Sequence, residues 1–247
     1  MSSPAVLITG GTSGIGRATA EVLHERGHRV MVTGSTPASV AAAADALPGD
    51  VVVLRADARS LADADRVAEE AGARFGSLDA VFLNAGVTRA APVAEFDEAA
   101  WDDLFRTNAK GQFFTLQKVL PLLADGASVV FTVGVGATSG IVGGSVTAAS
   151  KGALLAMVPS LALELAPRRI RVNAVSPGAV ETPIWSKTGL PPEALARVTE
   201  AAAERIPFGR FGTAREVAEV VAFLVSDAAA YVTGQNIVVA GGSGLAA

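Results

Sequence analysis

The feature that most constrains this chain is a glycine-rich turn between a short apolar strand and a helix. Val6-Leu7-Ile8 reads as a buried strand, "TGGTSGIG" (Thr9 to Gly16) follows it, and Gly16 to Arg26 continues with helical spacing. Glycines there let the backbone approach a pyrophosphate at a helix N-terminus, where unpaired N–H groups and the helix dipole favour negative charge. The strand-then-helix alternation recurs. Strands are expected at Arg29 to Thr33, Val51 to Leu54 and Leu78 to Leu83, with helices at Ala38 to Leu47 and Leu61 to Phe75. A long helix from about Trp101 to Leu123 follows, then a strand at Ser128 to Val133, a helix from about Thr147 to Leu165 and a strand at Arg171 to Val175. A helix at Ala214 to Ser226 and a strand at Asn236 to Val239 complete the order. Such alternation implies an α/β fold, a Rossmann-type doubly wound parallel sheet with helices on both faces. The irregular stretches Gly134 to Gly144 and Pro177 to Pro192 follow strands and so fall at the carboxyl edge of the sheet, where such folds bind ligands.

At 247 residues, with no linker-like stretch, the chain is expected to form a single domain over 1–247. Apolar runs such as Val220 to Val225 fall far short of the roughly 18 residues that span a bilayer. The N-terminus lacks the basic start and long apolar region of a signal peptide, so a cytoplasmic protein without a membrane role is expected. The absence of cysteine excludes disulfides, thiol nucleophiles and thiolate metal sites. His24 and His28 lie near the end of the first helix, where imidazoles serve helix ends and surfaces, and no metal site is expected. With net charge −4 and dispersed basic residues, no nucleic-acid partner is expected; small molecules are.

The glycine spacing Gly10, Gly14, Gly16 departs from the usual three-glycine dinucleotide fingerprint, and later segments give it meaning. These are "RADAR" with Asp57 and Ala58, "LNAG" with Asn84, Ala85 and Gly86, "TNAKG" with Asn108, "AASKGAL" with Lys151, "RIRVNAVSPGAVETP" with Pro177, Gly178, Val180 and Thr182, and "YVTGQNIVVAGG" near the end. On these segments the chain resembles the short-chain dehydrogenase/reductase family from end to end. The resemblance implies a nicotinamide cofactor cradled by Gly10, Thr12, Ser13, Gly14, Ile15 and Gly16, with Asp57 and Ala58 at the adenine edge and "NAG" along the adenosine. It places Lys151 on the nicotinamide ribose and Val180 and Thr182 on the carboxamide. Strand capping and a simple turn are the plainer readings of Asn84 and of Pro177-Gly178. Where NAD enzymes tend to carry an acid about 20 residues past the turn, "VMVTGST" offers Gly34, so NADP(H) is favoured over NAD(H). Ser35 and Thr36 are candidate donors to a 2′-phosphate, with Arg17 and Arg55 as candidate cationic helpers.

The same resemblance exposes a gap. Members move a hydride between nicotinamide and a carbonyl or alcohol carbon, with a tyrosine four residues before the lysine passing the proton. A serine 13 residues earlier orients the oxygen, and an asparagine completes the tetrad through a water. Here Asn108 and Lys151 match, but Thr147 stands at the tyrosine position and Gly134 at the serine position. The only tyrosine, Tyr231, lies in the terminal segment, and the longer spacing of enoyl reductases meets Gly144, so no shift of alignment fills the place. Threonine is too weak an acid for a nearby ammonium to rescue, and its hydroxyl stops short of where a phenol reaches. A water linked to Lys151 and Asn108 is one substitute donor. Ser139, beside Thr138 in a glycine-rich loop, is a candidate to face substrate, and Ser145 is expected to cap the following helix.

Three readings follow: an oxidoreductase of small carbonyl or alcohol substrates with an incomplete tetrad, a cofactor-binding protein or sensor without turnover, and a non-redox catalyst on the same scaffold. A substrate lid is expected over about 184–206, offering Ile184, Trp185, Leu190 and Leu195 to an apolar ligand. The resemblance implies a homotetramer or homodimer built on the helices near Trp101 and Thr147, with Pro159 expected to kink the second. Ala240, where relatives often carry an acid, is a further departure.

Overall fold

Apolar residues alternate between the two faces of each central strand, and each set finds its own layer of helices. The computed structural model describes residues 3–183 and 192–245. Strands β1 (Ala5–Ile8), β2 (Arg29–Gly34), β3 (Val52–Arg55), β4 (Leu78–Leu83), β5 (Leu123–Thr132), β6 (Arg171–Pro177) and β9 (Asn236–Val239) form one sheet in the order β3-β2-β1-β4-β5-β6-β9. Every neighbouring pair is parallel. β7 (Val180–Glu181) and β8 (Gly212–Thr213) form a separate two-stranded piece. On one face Leu7, Val81, Val129 and Phe131 pack with α3 (Leu61–Phe75), α5 (Gln112–Val119) and α6 (Ser145–Leu165). On the other, Val6, Ile8, Phe82 and Val130 meet α1 (Gly14–Glu25), α2 (Pro37–Ala46) and α8 (Ala214–Val225). The result is a single-domain doubly wound α/β fold, and the order reverses between β1 and β4, so their carboxyl ends open a crevice between them.

Three expectations need correction. The long helix expected from Trp101 is three pieces: α4 (Glu98–Phe105), a π-helical turn at Arg106–Gly111, and α5. β5 begins at Leu123, five residues early, because Leu123 pairs with Leu78 before the register shifts to Ala80 and Ser128. Ser145 is the first residue of α6 rather than its cap; Gly144 holds the cap position. α6 also runs unbroken through Pro159. It is long and apolar enough to cross a bilayer, yet its Leu154, Val158, Leu161 and Leu165 pack on the sheet.

The ends are capped as their sequences imply. Ser60, Asp97 and Thr213 accept the backbone N–H three residues on, and Thr213 with Glu216 completes a capping box. His28 donates its Nδ1–H to the Leu23 carbonyl and His24 pairs with Asp50, which are helix-end and surface roles. Within the segment expected to form a lid, α7 (Pro192–Glu204) is a helix. Ile184, Trp185 and Leu190 lie outside the described residues, as does the Leu195 side chain.

Candidate functional site

The glycine turn and "NAG" close on each other at the crevice. Gly10 takes φ +63°, and a Cβ there would lie 2.8 Å from the Ala85 Cα, so only glycine allows the approach. Thr9 ties the two strands together: its hydroxyl accepts the N–H groups of Asn84 (2.9 Å) and Ala85 (3.0 Å) and donates to Gln112 Oε1. Asn84 spends its amide on the carbonyls of Thr9 and Gly10 and accepts from the Thr132 hydroxyl. Asn84 therefore braces the turn from below. Thr9, Gln112 and Thr132 were not singled out in the sequence, although Thr9 opens the glycine motif; Gln112 lies 103 residues from its partner.

At the start of α1, Ser13 is the N-cap residue but makes no side-chain capping bond, leaving its hydroxyl to the crevice. Gly14 takes φ +53° against Thr182, whose Cγ2 would be 3.2 Å from a Cβ at that place. The glycine turn and the segment holding Val180 and Thr182 are thus in contact. Pro177 ends β6 opposite Val239, and Gly178 sits so close to Ala240 that a Cβ would come within 2.8 Å. The small residue at 240 is the complement of that approach. Ile15 packs on the helical layer beside Ala18.

At the end of β2, Gly34 is buried against Thr12, where any Cβ would strike the threonine Cγ2 at 2.5 Å. A carboxylate at that position would need the Thr12 side chain to move. Thr36 uses its hydroxyl to cap α2 through Ser39, whereas Ser35 is exposed with Arg55 folded over it, Nε 3.4 Å from the Ser35 carbonyl. Arg17 is committed to Glu21. Asp57 is held by Arg59 at 2.7 Å, which also reaches Asp103; that guanidinium keeps the Asp57 carboxyl below its usual range. Ala58 turns its carbonyl toward Gly111, at 2.1 Å from where a Cβ would stand.

The proton-handling positions are arranged differently from the expected tetrad. Lys151 Nζ donates to the Thr132 carbonyl at 3.0 Å, and a Cβ on Gly86 would meet it at 2.6 Å. Burial alone pushes its pKa down to about 8. Asn108, fully buried in the π turn, accepts from the Val87 N–H and donates to the Val87 carbonyl and to Ser150 Oγ. Its side chain has no amide hydrogen or short lone-pair contact left over for a relay water beyond one acceptor site. Ser150 donates its hydroxyl to the Thr147 carbonyl.

Thr147 Oγ1 donates to the Arg89 carbonyl at 2.8 Å and accepts the Arg89 N–H at 3.1 Å. With Ala91 N–H on the Gly143 carbonyl, this pair clamps the loop after β4 onto the entrance of α6. The clamped loop walls a cleft of about 510 Å³ facing α4, lined by Val87, Thr88, Arg89, Asp97, Ala100 and Leu104. Gly134 takes φ +134°, ψ 145°, a glycine conformation, with its N–H toward Ser176 Oγ. Ser139 and Thr138 both donate to the Val135 carbonyl and close the turn that follows. Among the described residues no cluster of His, Cys, Asp or Glu could hold a metal ion.

Comparison with known proteins agrees along the whole chain. A protein-family model described as Enoyl-(Acyl carrier protein) reductase matches residues 10–244. The chain is 39% identical over 241 residues to the 3-oxoacyl-[acyl-carrier-protein] reductase FabG of Thermotoga maritima, covering 96% of each. It is 35% identical over 238 residues to the Escherichia coli protein of that name, covering 96% of this chain and 95% of that one. Among solved structures, a variant of actinorhodin polyketide ketoreductase with NADPH superimposes with TM-score 0.90 at 31% identity, over 98% of this chain and 97% of that one. Levodione reductase gives TM-score 0.89 at 34% identity, with the same coverage.

Proposed function

Because the chain belongs to the short-chain dehydrogenase/reductase family, we propose that it is an NADP(H)-dependent reductase of small carbonyl compounds that works without the family's tyrosine and serine. The observation that carries this reading is the preserved cofactor frame. Gly10 and Gly86 leave room where side chains would strike Ala85 and Lys151, Gly14 meets Thr182, and Lys151 stands at the crevice. These residues suit a dinucleotide: free N–H groups of α1 for the pyrophosphate, an ammonium for ribose hydroxyls, and backbone groups around Val180 and Thr182 for the carboxamide. When bound, a reduced nicotinamide supplies the hydride.

The chain's own residues then hold the carbonyl in line and exclude water. General acid catalysis is typically worth ~10² to 10⁴ in rate, so its weakening slows turnover while positioning keeps much of the acceleration. The NADP(H) preference is supported by Gly34, which presents no carboxylate to a 2′-phosphate, and by Arg55 lying over Ser35 beside where that phosphate would stand. Arg55 has no ion-pair partner among the described residues.

A second reading has its own support. Thr147 is spent on Arg89 and Gly134 holds a glycine backbone, so the pattern also suits a protein that binds the dinucleotide and does not turn it over. The test is consumption of NADPH and NADH over ketones, quinones and β-keto esters, beside a direct binding measurement. Turnover supports the reductase. Tight binding with no turnover on any carbonyl favours the binder and refutes the reductase.

A further inference from the structure

Resting on the reductase reading, we propose that Lys151 is itself the acid of the reaction, delivering its ammonium proton to the substrate oxygen. Reduction needs a proton at that oxygen, and five of the hydroxyls around the crevice already donate elsewhere. Thr147 gives its only proton to the Arg89 carbonyl, Ser150 to the Thr147 carbonyl, Ser139 to the Val135 carbonyl, Thr132 to Asn84 and Ser176 to Asn236. These are also alcohols, too weak as acids to serve without ionised help.

Lys151 is placed differently. Its Nζ lies between the carboxyl ends of β4 and β5, touching the space beside Gly86 and the Thr132 carbonyl. An ammonium has three N–H donors and Thr132 takes one, which leaves two for cofactor and substrate. The elements packed on α6 carry Glu98, Asp102 and Asp103 on α4, Arg106 and Lys110 in the π turn, and Arg171 on β6. None of them contributes to the lysine's shift; burial alone brings its pKa to about 8, close to working pH, where an acid is most effective. Arg89, the nearest cation on the clamped loop, pairs with Asp97.

The step balances. As the hydride adds to the carbonyl carbon, the C=O π pair moves onto oxygen, an Nζ–H bond breaks and an O–H bond forms. The products are the alcohol, the oxidised dinucleotide and a neutral lysine amine, which solvent reprotonates.

Two measurements test this. The chain has four lysines, Lys110, Lys118, Lys151 and Lys187, so NMR titration of lysine labelled at Cε, in protein without dinucleotide, resolves each one. One resonance is expected to titrate near pH 8 and to vanish in Lys151→Met. The second is the pH profile of kcat for a carbonyl the protein reduces. It should show an alkaline limb on which the rate falls about tenfold per pH unit as the ammonium empties. In Lys151→Arg, whose guanidinium stays charged, kcat should drop at least ~10²-fold and lose that limb while NADPH still binds. A lysine that titrates only at its ordinary value overturns the proposal, as does an unchanged kcat in Lys151→Arg, and both leave the reductase reading standing. Absence of turnover by the unaltered protein with NADPH bound overturns the reductase reading and this proposal together.

Discussion

Replacing Thr147 by tyrosine returns the phenol that the family pattern places there and removes a clamp at the same time, so rate and stability should move in opposite directions. The threonine hydroxyl makes two hydrogen bonds to the Arg89 backbone, at 2.8 and 3.1 Å. Each is worth about 0.5–1.5 kcal/mol net, so their loss costs about 1–3 kcal/mol, toward the lower end because the site is half-exposed. In a domain of this size each kcal/mol moves Tm by about 2–4 °C, which gives a fall of about 2–12 °C in a thermal melt followed by circular dichroism. On the other side, a phenol beside the Lys151 ammonium is a competent general acid. With Lys151 already supplying at least ~10² of the ~10² to 10⁴ that general acid catalysis is worth, the phenol's return should raise kcat by up to ~10²-fold in steady-state NADPH oxidation, or about 2.7 kcal/mol of barrier. The alkaline limb of the profile should change as proton delivery passes from lysine to phenol. Adding Gly134→Ser should not help further: at φ +134° a serine costs about 1–3 kcal/mol of backbone strain, so the double variant should be less stable than the single one and no faster. An unchanged Tm in Thr147→Tyr would refute the clamp. A rate gain under about threefold with NADPH still bound would refute the claim that the hydride-transfer frame is intact and lacks the family's phenol.

Gly86→Ala puts a Cβ 2.6 Å from Lys151 Nζ and 3.1 Å from Asn108 Oδ1; the flexible lysine tip yields, so turnover should drop at least about tenfold with Tm changed by only a few degrees. Gly111→Ala, by contrast, meets the rigid Ala58 carbonyl at 2.1 Å and should lower Tm and soluble yield sharply. Arg55→Glu should raise KM for NADPH about tenfold or more and leave KM for NADH nearly unchanged, since a charge-assisted contact is worth about 1.5–3 kcal/mol; equal effects on both cofactors would remove Arg55 from the phosphate site. Lys151→Met should raise Tm at pH 7. The folded value of about 8 lies below the ordinary 10.5, so between them the unfolded chain binds more protons and the unaltered protein gains stability as pH rises. The advantage of Met should therefore shrink from pH 8 toward 10.5.

The order of strands and helices was legible because parallel strands buried on both faces read as short apolar runs, and turns rich in glycine punctuate them. What was not legible depends on partners far along the chain or on backbone angles. The break at Arg106–Gly111 escapes notice because a π turn inserts one residue without disturbing the local helical spacing. β5 starts early only because Leu123 finds Leu78, 45 positions before it. Thr147 stood out at once as the wrong residue for a proton donor, yet its actual partner, Arg89, is 58 residues away and is met through backbone groups that any residue would supply. Gly134 likewise announced a missing hydroxyl, whereas its φ of +134° cannot be read from the letter G.

Asn108 and Lys151 match the family pattern equally well, but they carry different weight as signs of chemistry. Three hydrogen bonds, two to Val87 and one to Ser150, give the Asn108 side chain a structural task that persists whether or not a proton moves. Lys151 has one bond, to the Thr132 carbonyl, and no carboxylate partner against the burial of its ammonium. A buried unpaired cation destabilises the fold, so Lys151 is not explained by stability. Its position is explained by a ligand that uses the charge or the proton, and the two uses separate experimentally. Arginine preserves the charge and holds its proton throughout the accessible range, so binding that survives in Lys151→Arg while turnover is lost assigns the lysine to proton transfer rather than to anchoring the ribose.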